Sequence, residues 1–245
     1  MAGHSKWSNI KQKKGKTDAA RGRIFTKIGR EISVAVRHGG PDPDSNPRLR
    51  DVITKARQNN MPNDNITRSI KKASGELGTP DEFEEVTYEG YGLGGVAVIV
   101  NTLTDNRNRT AGDIRHCFDK YGGSLGSTGC VSYMFKRVGV IICDKTIGED
   151  EMLLLALEAG ADDMQTYDDN FEIHCDPSKL SEVADMLTNS GAVILSQDVD
   201  MLPDMEVSPG EHEETVKKML DALDENDDVQ NVYHNAILTE EPEED

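Results

Sequence analysis

Three breaks cut the first 75 residues into short amphipathic segments, and this punctuation constrains the fold of that region more than any other feature. Gly39-Gly40-Pro41 stops the first segment, Asn46-Pro47 opens the second, and Met61-Pro62-Asn63 separates the second from the third. Gly and Pro clusters mark turns, and Pro directly after an Asn cap favours a helix start. The spacing predicts helices over residues 17–37, from 46 and from 63 or 64, capped by Thr17, Asn46 and Asn63 or Asp64. At ~100° per residue, Phe25, Ile28, Ile32 and Ala35 share one face of the first helix. Leu49, Val52, Ile53 and Ala56 share a face of the second, and Ile66, Ile70 and Ala73 a face of the third. Helices this short are marginal alone, so the stripes must pack together. A three-helix bundle over residues 17–75 is expected.

The charges divide at the same boundary. The whole chain is at −18, yet residues 1–74 hold 17 Lys and Arg against six acids, a net of +11, and the remainder is at −29. Such asymmetry suggests a nucleic-acid-binding part joined to an acidic part with another role. Lys6, Lys11, Lys13, Lys14 and Lys16 form a basic arm over residues 1–16, with Trp7 inside it to stack on a base or to anchor the arm. Arg23, Lys27, Arg30 and Arg37 share the face opposite the apolar stripe of the first helix, Arg21 on the same helix joins them as a candidate contact, and Arg68, Lys71 and Lys72 point outward on the third. Cations placed on phosphates release condensed counterions, which drives association. Charge reversal at Lys13, Lys14, Arg23, Lys27 and Arg30 is expected to abolish binding while the bundle stays folded. The second helix, turn and third helix have lengths compatible with a helix-turn-helix.

After a linker over 75–81, residues 138–203 read as strand 138–143, helix 149–159, hairpin strands 162–166 and 170–175, helix 177–189 and strand 192–199. That is the βαββαβ order of the ferredoxin-like arrangement. Met152, Leu153, Ala156 and Leu157 are expected inward on the first of these helices, and Leu180, Val183, Ala184 and Leu187 on the second. Strands 83–88, 96–103, 130–135 and 229–236 with helices 107–120 and 210–224 would complete another α+β domain around it. The predicted organisation is multidomain α and α+β: arm 1–16, bundle 17–75, an α+β domain over 82–136 plus 204–238, a ferredoxin-like insert over 137–203, and an acidic, disordered tail over 239–245.

The stretches MAGHSKWSNIKQKKGKTDAARGRIFTKIGREI, GGPDPDSNPRLRDVITKARQNNMPNDNITRSIKKASGE and TYEGYGLGGVAVIVNTLTDNRNRTAGDIRHCFDKYGGSLGSTGCVSYMF closely resemble the YebC/PmpR family over essentially the whole chain. The resemblance implies a three-helix domain followed by two α+β domains, the third inserted in the second. It implies a DNA-binding transcriptional regulator; some relatives act instead in translation, in mitochondria or on ribosomes stalled at proline-rich stretches. Cys130 and Tyr133 stand where the family more often has Ser and Trp, and they read as packing substitutions.

Other motifs point to no chemistry. Gly90-Tyr91-Gly92-Leu93-Gly94-Gly95 fits G-x-G-x-x-G, but the residues after it read as a strand where pyrophosphate binding needs a helix, so a hairpin turn is expected. Cys117, Cys130, Cys143 and Cys175 contain no Cys-x-x-Cys pair and read as reduced thiols. The six histidines lack metal-ligand spacing, and no nucleophile–base constellation is readable. Arg107 and Arg109 open a helix, where cations are disfavoured; they either contact an RNA or other anion or pair with acids across domains. No apolar run is long enough to span a membrane, and the amino terminus reads as a folded domain rather than a signal or transit peptide. The sequence therefore predicts a cytoplasmic, monomeric, non-enzymatic protein without cofactor or metal, acting as a DNA-binding transcriptional regulator. The alternative is a translation factor that binds ribosomal RNA, tRNA or the ribosome.

Overall fold

The computed structural model describes residues 18–239; the basic arm, Trp7, the Thr17 cap and the tail beyond Thr239 lie outside the described residues. The described chain forms two compact units, residues 18–135 with 203–239, and residues 136–202. Among these residues there are seven α-helices and two four-stranded sheets.

The larger unit opens with α1 (Asp18–Gly39), α2 (Pro47–Gln58) and α3 (Asn63–Ala73). Ile28, Ile32, Ala35, Leu49, Val52, Ile53, Ala56 and Ile66 make one buried cluster, with Phe25, Ile70 and Ala73 packed on it. Burying each large aliphatic chain stabilises by roughly 1.5–3 kcal/mol, which the isolated helices lack. Asn46 fixes the α1–α2 corner. Its Oδ1 accepts from the Leu49 amide at 3.1 Å, while its Nδ2 donates to the carbonyls of Ala35 and Gly40, each at 2.8 Å. A Cβ on Gly39 would lie 2.5 Å from the Asn46 side chain, so the helix must end on glycine there. Asn46→Ala removes the cap and leaves carbonyls of the corner unpaired; a loss of about 2 kcal/mol is expected in urea unfolding. A loss under about 0.5 kcal/mol would show that solvent replaces these bonds. The third helix starts differently from expectation: Pro62 occupies the cap position, no side chain caps it, and Asn63 is already helical.

The chain continues through β1 (Glu84–Tyr91), β2 (Ala97–Thr104), α4 (Arg107–Lys120) and β3 (Ser124–Leu125). After residues 136–202 the chain closes this unit with a helix over Glu213–Asp224 and a strand over Val229–His234. β1 and β2 pair antiparallel, from Glu84 opposite Thr104 to Tyr91 opposite Ala97. The glycine run between them is the expected hairpin turn: Gly94 has φ +70°, and a Cβ there would lie 2.8 Å from Pro209. Val98, Val100, Ile114, Phe118, Val216, Met219 and Leu223 form the core that α4 and the late helix cover. The expected strand over 130–135 is absent from this sheet. Its residues form a loop and a short 3-10 turn, Ser132–Met134, before the next strand starts at Phe135. Tyr133 is 73% exposed, so it is not the packing residue the sequence suggested.

The smaller unit runs β4 (Phe135–Cys143), α5 (Glu149–Glu158), β5 (Asp163–Thr166), β6 (Phe171–Cys175), α6 (Leu180–Asn189) and β7 (Ile194–Pro203). The order βαββαβ matches the sequence reading, and the sheet order is β5-β6-β4-β7. β6 is antiparallel to both its neighbours. Ile141, Met152, Ala156, Phe171, Ile173, Val183, Ala184 and Leu187 fill the core, with Leu155 and Leu180 against it. Leu153 and Leu157, expected inward, are 41% and 56% exposed. In sequence order the late helix Glu213–Asp224 is α7, and the late strand Val229–His234 is β8, which pairs antiparallel with β2.

Candidate nucleic-acid interface

The cations picked out by the sequence fall into three environments. The first is the arm: Lys6, Lys11, Lys13, Lys14 and Lys16 lie outside the described residues.

The second is the rear face of α1. Arg23, Lys27 and Arg30 recur at helical spacing, and all three meet carboxylates from the end of α7 and the turn after it. Arg23 lies 3.6 Å from Glu225, Lys27 3.1 Å from Asp224, and Arg30 2.6 Å from Asp228. Lys27 also donates to the Asp224 carbonyl, and Arg30 to the Leu103 carbonyl, both at 2.8 Å. The Arg30 guanidinium lies 5.2 Å from the Phe83 ring centre. Lys27 and Arg30 side chains are only 15% exposed. The free cationic face expected for Lys27 and Arg30 is thus closed by the chain's own acids. Reversing these two charges would set new carboxylates against Asp224 and Asp228, so folding would not be spared. Arg21 and Arg37 remain exposed.

Asp228 is the centre of this arrangement. Its side chain is 4% exposed and also accepts from Arg109 Nη2 at 2.8 and 3.0 Å, from Thr110 Oγ1 at 2.6 Å and from Thr104 Oγ1 at 3.3 Å. Burial pushes this carboxyl up, but hydrogen bonds from Thr110, Arg109 and Arg30 outweigh it and hold it below the ordinary value. Arg109 has a second partner in Asp105 at 2.8 Å. Of the two open readings of Arg107 and Arg109, the geometry gives Arg109 to acid pairing. Arg107 is exposed and has no ion pair among the described residues.

The third environment is the outside of α3. Arg68 and Lys71, one turn apart, are both exposed, and neither has an ion pair among the described residues. Lys72 pairs with Asp81. Arg57, in the last turn of α2, is exposed like them; its outward position was legible, but it was not singled out. Arg48, also on α2, pairs with Glu85.

Other chemistry is sparse. Among the described residues no group of His, Cys, Asp and Glu could hold a metal ion. The pocket between α4 and α7, lined by Asp113, His116, Cys117, Lys120 and Asn226, holds about 180 Å³, below the ~300 Å³ of small-molecule sites. Burial pushes the Cys117 thiol up and Cys143 to about 12, so neither is an activated nucleophile. Among the described residues no helix is long and apolar enough to cross a membrane.

Two family models match. One, described as the TACO1/YebC protein N-terminal domain, covers residues 5–76, and the other, the TACO1/YebC second and third domain, covers residues 83–236. A protein of Clostridium novyi named a probable transcriptional regulatory protein is 56% identical, covering 98% of this chain and 99% of its own. One of the same name from Acetivibrio thermocellus is 54% identical over 96% of this chain and 98% of its own. The crystal structure of a conserved hypothetical protein from Aquifex aeolicus superposes with a TM-score of 0.83 at 46% identity, covering 94% of this chain and 96% of that one.

Proposed function

The chain belongs to the TACO1/YebC family, and from that premise we propose that it is a non-enzymatic, cytoplasmic, DNA-binding transcriptional regulator that holds its target through the amino-terminal bundle. The relatives' names support a regulatory role. The observation that carries the binding surface is the pair Arg68 and Lys71, exposed on α3 and without an internal counter-charge among the described residues. Unpaired exposed cations are what a phosphate backbone requires, whereas cations already seated on carboxylates must first be released. Arg57 and Arg37 extend the supply, and Lys6, Lys11, Lys13, Lys14 and Lys16 add a tether. The acidic α+β parts, the ferredoxin-like insert among them, serve protein contacts.

The test is duplex binding as a function of salt. Arg68→Ala with Lys71→Ala is expected to weaken binding roughly tenfold at ~0.1 M salt. It should also flatten the dependence of log K on log salt by roughly 2, about 0.9 per lost phosphate contact. An unchanged slope in the folded double variant would remove α3 from the interface. Selectivity among duplexes separates regulator from alternative: each wrong base pair should cost roughly 1–3 kcal/mol. Equal binding of all duplexes, with tighter hold on ribosomal RNA, would overturn the transcriptional reading.

A further inference from the structure

We propose that the acidic turn running from Asp224 to Asp228 is a latch that occupies the cationic face of α1 and withholds it from nucleic acid. The proposal rests on the reading that the bundle binds a polyanion. Its geometry is a zipper of three pairs, Arg23–Glu225, Lys27–Asp224 and Arg30–Asp228. Each of the three cations is thus already seated on a carboxylate of the turn. Phosphates therefore gain there only by displacing carboxylates.

Exposure grades the zipper. The outer pair is 43% and 64% exposed, the middle pair 15% and 34%, and the inner pair 15% and 4%. Exposed pairs are weak and screened by salt, whereas Asp228 is fixed by four donor side chains. The turn thus opens from Glu225 inward and stays hinged at Asp228. It is shaped before it meets α1, because Asn226 Oδ1 accepts from the Asp228 amide at 2.9 Å and the Val229 amide donates to the Asn226 carbonyl at 3.0 Å. Polyanion capture at α3 and release of the turn are then successive events, the first on free cations and the second on exchanged ones.

The experiment uses the full chain and a mixed-sequence duplex titrated between ~50 and ~200 mM salt. Asp224→Asn with Glu225→Gln leaves every cation in place and removes the carboxylate charges that face Arg23 and Lys27. Binding should tighten about fivefold or more at the low end, and the salt slope should steepen by roughly 2. The exposed pair Asp150→Asn with Glu151→Gln removes the same charge elsewhere and should change much less. Adding Arg23→Gln and Lys27→Gln to the opened chain should cancel the gain, while the same two changes in the closed chain should cost little. Circular dichroism establishes that each form is folded. Equal affinity and slope in opened and original chains, or an equal gain in the control, would overturn the latch alone. Absence of duplex and RNA binding in every form would overturn the binding reading and the latch with it.

Discussion

Asp228→Ala is expected to cost the larger unit about 4 kcal/mol, measured as the shift in urea unfolding followed by far-ultraviolet circular dichroism. Removing one partner of a buried ion pair costs roughly 3–5 kcal/mol because the other charge stays behind unpaired. Here two guanidiniums, Arg30 and Arg109, and two hydroxyls, Thr104 and Thr110, lose their common acceptor. Asp228→Asn keeps the volume but turns an amide donor toward these donors, so it should recover little. A cycle with Arg30→Ala should show strong coupling, since the double variant no longer strands that guanidinium. The pH dependence has a defined sign. The folded carboxyl lies below its unfolded value of about 3.9, so this contribution is complete above about pH 4 and is lost as the pH falls through the lower folded value. A cost below about 1 kcal/mol, or no coupling to Arg30, would show that the cluster is not holding the unit together.

That cluster also marks where the sequence stopped being readable. The bundle was legible because its signals are local: Asn46 caps within three residues, Pro47 follows it, and Gly40 donates back to Val36 across the helix end at 2.8 Å. The pairs on the rear of α1 join residues 197 and 198 positions apart, and no local pattern reports them. One trace was present. Val34 lies on the same side of α1 as Lys27 and Arg30 and is 2% exposed, so that face was never wholly polar. A lone valine among cations marks a covered surface rather than a solvated one. The face of α5 failed for the opposite reason. MLLLALE is apolar nearly all round, so periodicity cannot choose a side. The sheet chose Met152, Leu155 and Ala156 and left Leu153, Leu154 and Leu157 outward. Arg68 and Lys71, by contrast, were read correctly as outward because Ile66, Ile70 and Ala73 define the other side of α3.

Glu89→Ala is expected to cost about 3 kcal/mol and to release residues 126–134 from the first sheet. Glu89 is 3% exposed on β1. Its Oε1 accepts from the Gly129 amide at 2.7 Å, and its Oε2 from the Val131 and Ser132 amides at 2.9 and 2.8 Å. Burial pushes this carboxyl up, yet the three amides hold it below its ordinary value, so acid weakens the site in the same direction as at Asp228. Leaving a buried donor unsatisfied costs roughly 1–3 kcal/mol, and three donors sharing one acceptor do not add in full. Hydrogen exchange at Gly129, Val131 and Ser132 should accelerate far more than exchange in β1 and β2, and Glu89→Gln should fall between the two forms. Equal acceleration throughout the sheet would mean that Glu89 supports the unit as a whole rather than the loop. The arrangement also accounts for the strand expected over 130–135. A strand sends successive amides to opposite sides, whereas the amides of residues 129, 131 and 132 converge on one carboxylate. A buried glutamate more than 40 positions earlier redirects a stretch whose own side chains favour extension.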